Sequence, residues 1–176
     1  MEVVEMVLVG KVNTDIVKHI NVAGGKAVGL SGKDGCLLMA QKRYSYASNE
    51  DGTQTRYDLG QVGDVYQVNV EIVRKMLELG YIPVISPVAM GENGESYNVN
   101  ADLAAGEIAA ALNAEKLILL TDVEGIYADF ADKDSLLTRL TIPQVKQFIA
   151  EGVVAGGMIP KVECCIQAIE DGVRCV

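Results

Sequence analysis

The sequence predicts an α/β protein: a three-layer αβα sandwich whose open sheet is largely parallel and carries added β-hairpins. Two observations lead there. Short apolar runs at 26–31, 81–86 and 115–121 alternate with segments of helical spacing, the pattern of strands buried between helices. Polar, glycine-containing breaks at 49–52 and 91–94 separate strand-like arms, the signal of hairpin loops.

Residues 2–21 place Val4, Met6, Val7, Val12, Ile16, Val17 and Ile20 at mixed three- and four-residue spacings, so an amphipathic helix bent near Gly10 is expected. Gly24 and Gly25 end it before a short buried strand at 26–31. Residues 32–35 read as a tight turn, with Gly32 and Gly35 as positions for positive φ. From Leu37 to Val68 the chain is strand-like around the loop at 49–52. Asn69 is the expected N-cap of a helix to about Leu79, which Gly80 stops before the strand at 81–86.

Asn100 is expected to cap an alanine-rich helix from Ala101 to about Leu112, able to pack closely on a sheet. Residues 115–121, apolar on both faces around Leu117, Ile118, Leu119 and Leu120, read as a central parallel strand. Helices follow at about 142–151 and 160–170, the second with Pro160 at its first position and Val162, Cys165, Ile166 and Ile169 on its apolar face. Residues 173–176 look like the opening of another strand. No internal repeat or linker divides the chain, so 1–176 reads as a single domain. The chain opens almost inside a helix and closes at a strand start, so a piece of a longer protein, truncated at both ends, is expected.

Composition narrows the function. With 176 residues, 49% apolar and 22% charged, the chain reads as soluble and globular with room for a substantial core. No apolar run approaches the roughly 18 residues of a membrane span, and the acidic start lacks the basic flank of a signal peptide. No membrane partner and a cytoplasmic location are therefore expected. A net charge of −9 without a clustered basic patch argues against nucleic acid. Cys36, Cys164, Cys165 and Cys175 show no C-x-x-C spacing and His19 is the only histidine, so no metal site is expected and the cysteines read as structural. His19 falls where a helix C-terminal turn favours it.

Three polar clusters fall where open α/β sheets bind ligands, after strands and at helix starts. In the first, Asn98 and Asn100 share a face by strand period and Asp102 follows in the first helical turn. Two amides can hold a carboxylate or carbonyl, and a carboxylate can hold lysine ammoniums. The plainer explanation is that Asn100 caps, Asp102 complements the dipole and Asn98 ends a strand. The second cluster is Thr121, Asp122, Val123, Glu124, Gly125, Ile126 and Tyr127, whose backbone and hydroxyl groups suit a nucleotide, although a strand ending in Thr-Asp is also ordinary punctuation. The third runs from Val153, Val154 and Ala155 through Gly156 and Gly157 to Lys161, a lysine in the first turn of a helix. That charge is unfavourable there unless an anion shares the site, and it otherwise reads as a solvated surface charge. Together the clusters suit phosphoryl transfer, which needs mostly positioning and positive charge, and no general base when the acceptor is already a carboxylate.

The chain resembles the amino acid kinase family, through Val-Gly-Leu-Ser-Gly-Lys-Asp-Gly at 28–35, Leu-Gly-Gln-Val-Gly-Asp-Val at 59–65, Tyr-Asn-Val-Asn-Ala-Asp at 97–102, Leu-Thr-Asp-Val-Glu-Gly-Ile at 120–126 and Gly-Gly-Met-Ile-Pro-Lys at 156–161. These runs match members that phosphorylate N-acetyl-L-glutamate with ATP and Mg²⁺ in arginine biosynthesis. The resemblance implies that Asn98, with Asn100, binds the acyl amino acid, that Asp102 organises catalytic lysines and that Lys161 stabilises the transition state. It also implies ATP contacts from Asp122 through Tyr127 and from Val153 through Ala155. It divides the chain into part of an amino-acid-substrate half at about 1–98 and a nucleotide-binding half at about 99–176. It further implies a homo-oligomer, a dimer or a hexamer, and a first lysine, a second Gly-Gly loop and a substrate-binding arginine upstream of Met1. The isolated chain is then expected to have negligible kinase activity. The stretch 41–63 resembles arginine-feedback-regulated members. Glutamate, aspartate, carbamate or uridylate kinases, or a non-catalytic nucleotide- or effector-binding module, are the alternatives.

Overall fold

A computed structural model describes residues 1–49, 52–129 and 131–176. They form two compact units, Met1–Leu112 and Asn113–Val176.

The first unit begins with helix α1 (Glu2–Glu5), a π-helical stretch (Met6–Asn13) and α2 (Thr14–Val22). The expected bend near Gly10 is instead a run of wider i→i+5 turns centred on that residue. His19 falls in the last turn of α2, as expected. Asn13 is the one buried residue of this whole helical segment. Its amide donates to the carbonyls of Val84 (2.8 Å) and Leu30 (3.4 Å).

Those carbonyls belong to β1 (Ala27–Ser31) and β4 (Ile82–Ser86), a parallel pair in register Gly29↔Val84. Gly29 is bare for a reason: a Cβ there would lie within 3.2 Å of the Asn13 side-chain amide carbon and closer still to its oxygen. The Ser86 hydroxyl adds a second polar tie, donating to the Leu8 carbonyl at 3.2 Å.

After β1 the turn at 32–35 leads into a 3₁₀ turn (Asp34–Cys36). Gly35 takes positive φ, 59°, as expected. Gly32 does not. It is required sterically, since a Cβ there would meet the Val88 carbonyl oxygen at 2.6 Å. Strand β2 (Leu38–Ser48) then pairs antiparallel with β3 (Gln54–Val68). Of the loop expected at 49–52, Glu50 and Asp51 lie outside the described residues. Asn49 and Gly52 flank them, with the Gly52 N–H donating to the Asn49 carbonyl at 3.0 Å.

Strands β5 (Val88–Met90) and β6 (Ser96–Asn98) form the second expected hairpin and close a four-stranded ring with β2 and β3, in the order β2-β3-β6-β5. Helices α3 (Glu71–Glu78) and α4 (Ala101–Leu112) pack on it, with Val73 and Ala104 joining Leu37, Leu38, Ala40, Ala89 and Val99 in the core. Each large side chain buried this way contributes about 1.5–3 kcal/mol. Asn69 stands one residue ahead of the expected position: Val70 is the N-cap of α3, while the Asn69 side chain accepts from the Glu71 N–H at 3.3 Å and donates to the Gly35 carbonyl at 3.2 Å.

The second unit holds α5 (Ile142–Ala150) and α6 (Met158–Glu170) around Val145, Val154 and Val162. The central strand expected at 115–121 is absent. The Leu117 N–H donates to the Cys175 carbonyl at 2.9 Å, but among the described residues no ladder of such bonds builds a strand. Ile118 and Leu120 stand 69% and 92% exposed while Leu117 and Leu119 are half-buried, so the apolar run is covered on one face at most. The strand expected at 173–176 is absent too: Val173 is buried, but among the described residues Cys175 makes only that single backbone bond to Leu117. Helix α6 begins at Met158, which makes Pro160 its third residue, and Cys164 is its buried cysteine while Cys165 is half-buried. The α/β class holds, with parallel pairing in β1–β4 and mixed pairing in the ring.

Asn13→Ala should cost about 1–3 kcal/mol in urea unfolding, the range for buried acceptors losing a partner. Gly29→Ala should destabilise the wild type clearly but the Asn13→Ala background much less, because the clashing side chain is gone; strict additivity in this double-mutant cycle would contradict the contact.

Lys33 donates to Glu5 (2.8 Å) and to Ser96 (3.1 Å), tying the first helical turn to the turn after β1 and to β6. Hydrogen bonds from Lys33 and then Ser96 hold the Glu5 carboxyl below its ordinary 4.5. A lowered folded value contributes stability that is complete above 4.5 and is lost as pH falls through the folded value. Glu5→Gln should therefore lower stability near neutral pH by less than about 1 kcal/mol and converge on wild type once the pH falls below the lowered folded value.

Candidate active site

The groove beside Asn98 follows from a break in the hairpin register. Lys42 pairs with Gly63 and Tyr44 with Asp58, so between these pairs one residue of β2, Arg43, faces four of β3: Leu59, Gly60, Gln61 and Val62. A bulge of this kind bends a strand and re-aims its side chains. Here it hands β3 to a new partner, since Val62 pairs in parallel with Asn98 of β6.

Asp58 pins the bulge. One carboxylate oxygen accepts from Lys42 at 2.7 Å and the other from the Gly60 N–H at 2.7 Å. The Lys42 ammonium, then the Gly60 N–H, hold the Asp58 carboxyl below its usual range, and Asp58 pushes Lys42 up. Gly63 lets the ring close tightly: a Cβ there would stand 2.7 Å from Tyr97 Cβ and 3.1 Å from Ala40 Cβ.

The result is an open groove of about 640 Å³ lined by Arg43, Tyr44, Ser45, Tyr46, Leu59, Val62, Gly63, Asn98 and Asn100. That volume suits a small molecule. The structure thus brings Asn98 and Asn100 to one groove and separates their duties. Asn100 Oδ1 accepts the N–H groups of Asp102 (2.9 Å) and Leu103 (3.1 Å), capping α4 as expected. Its oxygen spent, Asn100 has only its NH₂ to offer, a donor suited to a carboxylate. The Asn98 amide makes no such bond among the described residues, so capping does not account for it. Asp102 is the second residue of α4.

In the second unit, Ile126, Val154, Met158 and Ile159 share one small core, which fixes the 121–127 and 153–157 segments against the start of α6. The side chain of Val154 is buried there and its N–H donates to the Phe148 carbonyl at 3.1 Å. Thr121 donates to Asp122 (3.1 Å), and the Tyr127 hydroxyl to Glu124 (2.7 Å), which pushes the phenol up. Tyr127 also bridges antiparallel to Leu136. Val123 and Gly125 are half-buried between them; Val153, Ala155 and Gly157 lie on the exposed approach to α6.

At the start of α6 the first backbone donors are engaged. The Met158 N–H already donates to Ala155 (3.3 Å), the Ile159 N–H to Gly156 (3.2 Å), and Pro160 has none. Positive charge at this turn therefore comes from the half-buried Lys161 side chain and the helix dipole. No group of three or more His, Cys, Asp or Glu gathers to hold a metal among the described residues, and no helix among them is long and apolar enough to cross a membrane.

Arg43 is one of the groove residues that sequence reasoning missed, with Tyr44, Ser45 and Tyr46. Its signal was the Leu59-Gly60-Gln61 run, excess residues in one arm of a hairpin, but the opposing register was needed to read it.

The model for the amino acid kinase family matches residues 1–176. An acetylglutamate kinase of Heliobacterium modesticaldum is 57% identical over 98% of this chain and 59% of its own length. One of Moorella thermoacetica is 55% identical over 99% of this chain and 58% of its own. The crystal structure of smu.665 from Streptococcus mutans superimposes with a TM-score of 0.76 at 29% identity, covering 96% of this chain and 63% of that one. The chain thus spans rather more than half the length of the curated relatives it matches.

Asn100→Ala should cost about 1 kcal/mol of thermal stability, the loss of an N-cap, while Asn98→Ala should stay within about 0.5 kcal/mol of wild type. An equal cost at both positions would make Asn98 a structural residue.

Proposed function

This chain belongs to the amino acid kinase family, and from that membership we propose that the full-length protein transfers the γ-phosphoryl group of ATP to the side-chain carboxylate of N-acetyl-L-glutamate. The product is N-acetyl-L-glutamyl 5-phosphate, an intermediate of arginine biosynthesis. The observation that carries this reading is the groove holding Asn98 and a donor-only Asn100, in a chain 55–57% identical to proteins named acetylglutamate kinase. The same reading includes a homo-oligomer.

The acceptor is already an anion, so no side chain has to remove a proton. One carboxylate oxygen forms the new P–O bond, the bond from the γ-phosphorus to the bridging oxygen breaks, and ADP departs with that electron pair. The obstacle is the approach of two anions, which positive charge aimed at the moving group reduces. Lys161 is assigned that role, because at its turn the early backbone donors are engaged and the ammonium carries the charge. Asp102 is assigned to orient lysine ammoniums, and Asn98 and Asn100 to hold the acyl amino acid. Residues 121–127, with Val153, Val154, Ala155 and Gly157, are assigned to the nucleotide, Val154 through packing beneath it. Mg²⁺ enters with ATP as the counter-ion of its phosphates.

In the full-length protein, Lys161→Ala should lower kcat by about 100-fold or more while the KM for ATP moves only a few-fold, the pattern of an interaction made in the transition state. A raised KM with unchanged kcat would restrict Lys161 to ground-state nucleotide binding. Turnover of glutamate, aspartate or carbamate in preference to N-acetyl-L-glutamate would move the protein to another activity of its family.

A further inference from the structure

We infer that Lys33 is a positioning residue for the acyl amino acid: through the Ser96 hydroxyl it fixes strand β6 and so aims the Asn98 side chain. Lys33 does not line the groove itself. The inference rests on the acyl amino acid kinase reading above.

Asn98 is the last residue of a strand only three residues long. On its C-terminal side the chain is secure: Val99 is buried and donates its N–H to the Pro87 carbonyl at 3.2 Å, and Asn100 caps α4. On its N-terminal side the support is thinner. Among the described residues β6 meets β3 at the single pair Val62↔Asn98, and its antiparallel partner β5 is also three residues long. A ladder this short is marginal by itself.

Side chains alternate along a strand, so Ser96 shares a face with Asn98. Holding Ser96 therefore holds the pleat that aims Asn98. The Lys33 ammonium donates to Ser96 Oγ at 3.1 Å and to Glu5 Oε1 at 2.8 Å. The Ser96 hydroxyl donates in turn to the Glu5 carboxylate, so three side chains close a triangle whose bonds reinforce one another. Lysine suits the corner, since one ammonium offers three donors. Lys33 and Glu5 are each 31% exposed, unlike the open helix-surface pairs Lys18–Asp15 and Lys75–Glu78. A shielded network holds a geometry that exposed ion pairs do not.

The base of Lys33 is fixed as well. Its N–H donates to Ser31 Oγ at 3.3 Å, the Ser31 N–H donates to Asp34 at 2.8 Å, and the Gly32 N–H to the Ser86 carbonyl at 3.0 Å. Lys33 thus reaches from a rigid turn to a short strand, and helix α1 shares the contact through Glu5.

Ser96→Ala removes the hydroxyl and leaves the Lys33–Glu5 pair in place. In the full-length protein it should raise the KM for N-acetyl-L-glutamate about tenfold with the KM for ATP unchanged. Lys33→Met should raise the same KM at least as much, and Lys33→Arg, still a donor to both partners, should recover part of it. In an Asn98→Ala background Ser96→Ala should add nothing, because the side chain it aims is gone. An unchanged KM in Ser96→Ala, equal rises in both KM values, or a full additional loss in the Asn98→Ala background would overturn the assignment. The kinase reading fails separately: a wild type that phosphorylates no acyl amino acid removes both, whereas Asn98→Ala raising the KM while Ser96→Ala does not removes only this inference.

Discussion

The Asn13 side chain, 3% exposed, donates across to both strands of the parallel pair, and the rest of the first unit is arranged around that contact. A buried amide is costly unless its hydrogen bonds are made. Here they are made to two different strands, and no other residue of α1, the π-helical stretch or α2 is buried. Docking is therefore directional. An apolar seam tolerates sliding, but two carbonyls at fixed positions accept one placement of the helix. Gly29 gives up its side chain to that placement, and Ser86 and Lys33 repeat it with polar ties to Leu8 and Glu5.

From that anchor, order passes along the chain to the groove. Strand β1 leads through the Asp34–Cys36 turn into β2, and Asn69 clips the start of α3 to the same turn. Strand β2 then carries the bulge, Asp58 fixes it, and β6 ends at Asn98 one residue before Val99 enters the core. Asn100 caps α4 two residues later. The groove is thus bounded by a hairpin defect and a helix cap, both held by short-range hydrogen bonds.

Features that short-range chemistry determines were legible in the sequence. The Asn100 cap, the 91–94 loop and the alanine-rich α4 depend on residues within a few positions of one another, and the long hairpin folds back on its own neighbouring arm. Features that depend on distant partners were not. The apolar run 115–121 has the composition of a central strand, yet a strand is defined by neighbours, and only Leu117 pairs. The π-helical stretch ends at Asn13, whose partners are carbonyls on β1 and β4 that lie 17 and 71 residues along the chain. The start of α6 moved because Gly156 and Ala155 accept the early N–H groups, so the helix begins ahead of its proline. Arg43 stayed hidden because its position is a difference between two strands.

That difference also says how such a groove diverges. The paired stretches on either side of the bulge, Leu38 to Lys42 and Tyr44 to Ser48, keep their cross-strand partners whatever happens between them. Inserting or deleting residues in the excess segment alters the groove wall while the hairpin arms stay paired. Recognition here can change through the length of one short segment, leaving the core sequence and the helix cap untouched: a separation between what makes the protein fold and what it selects.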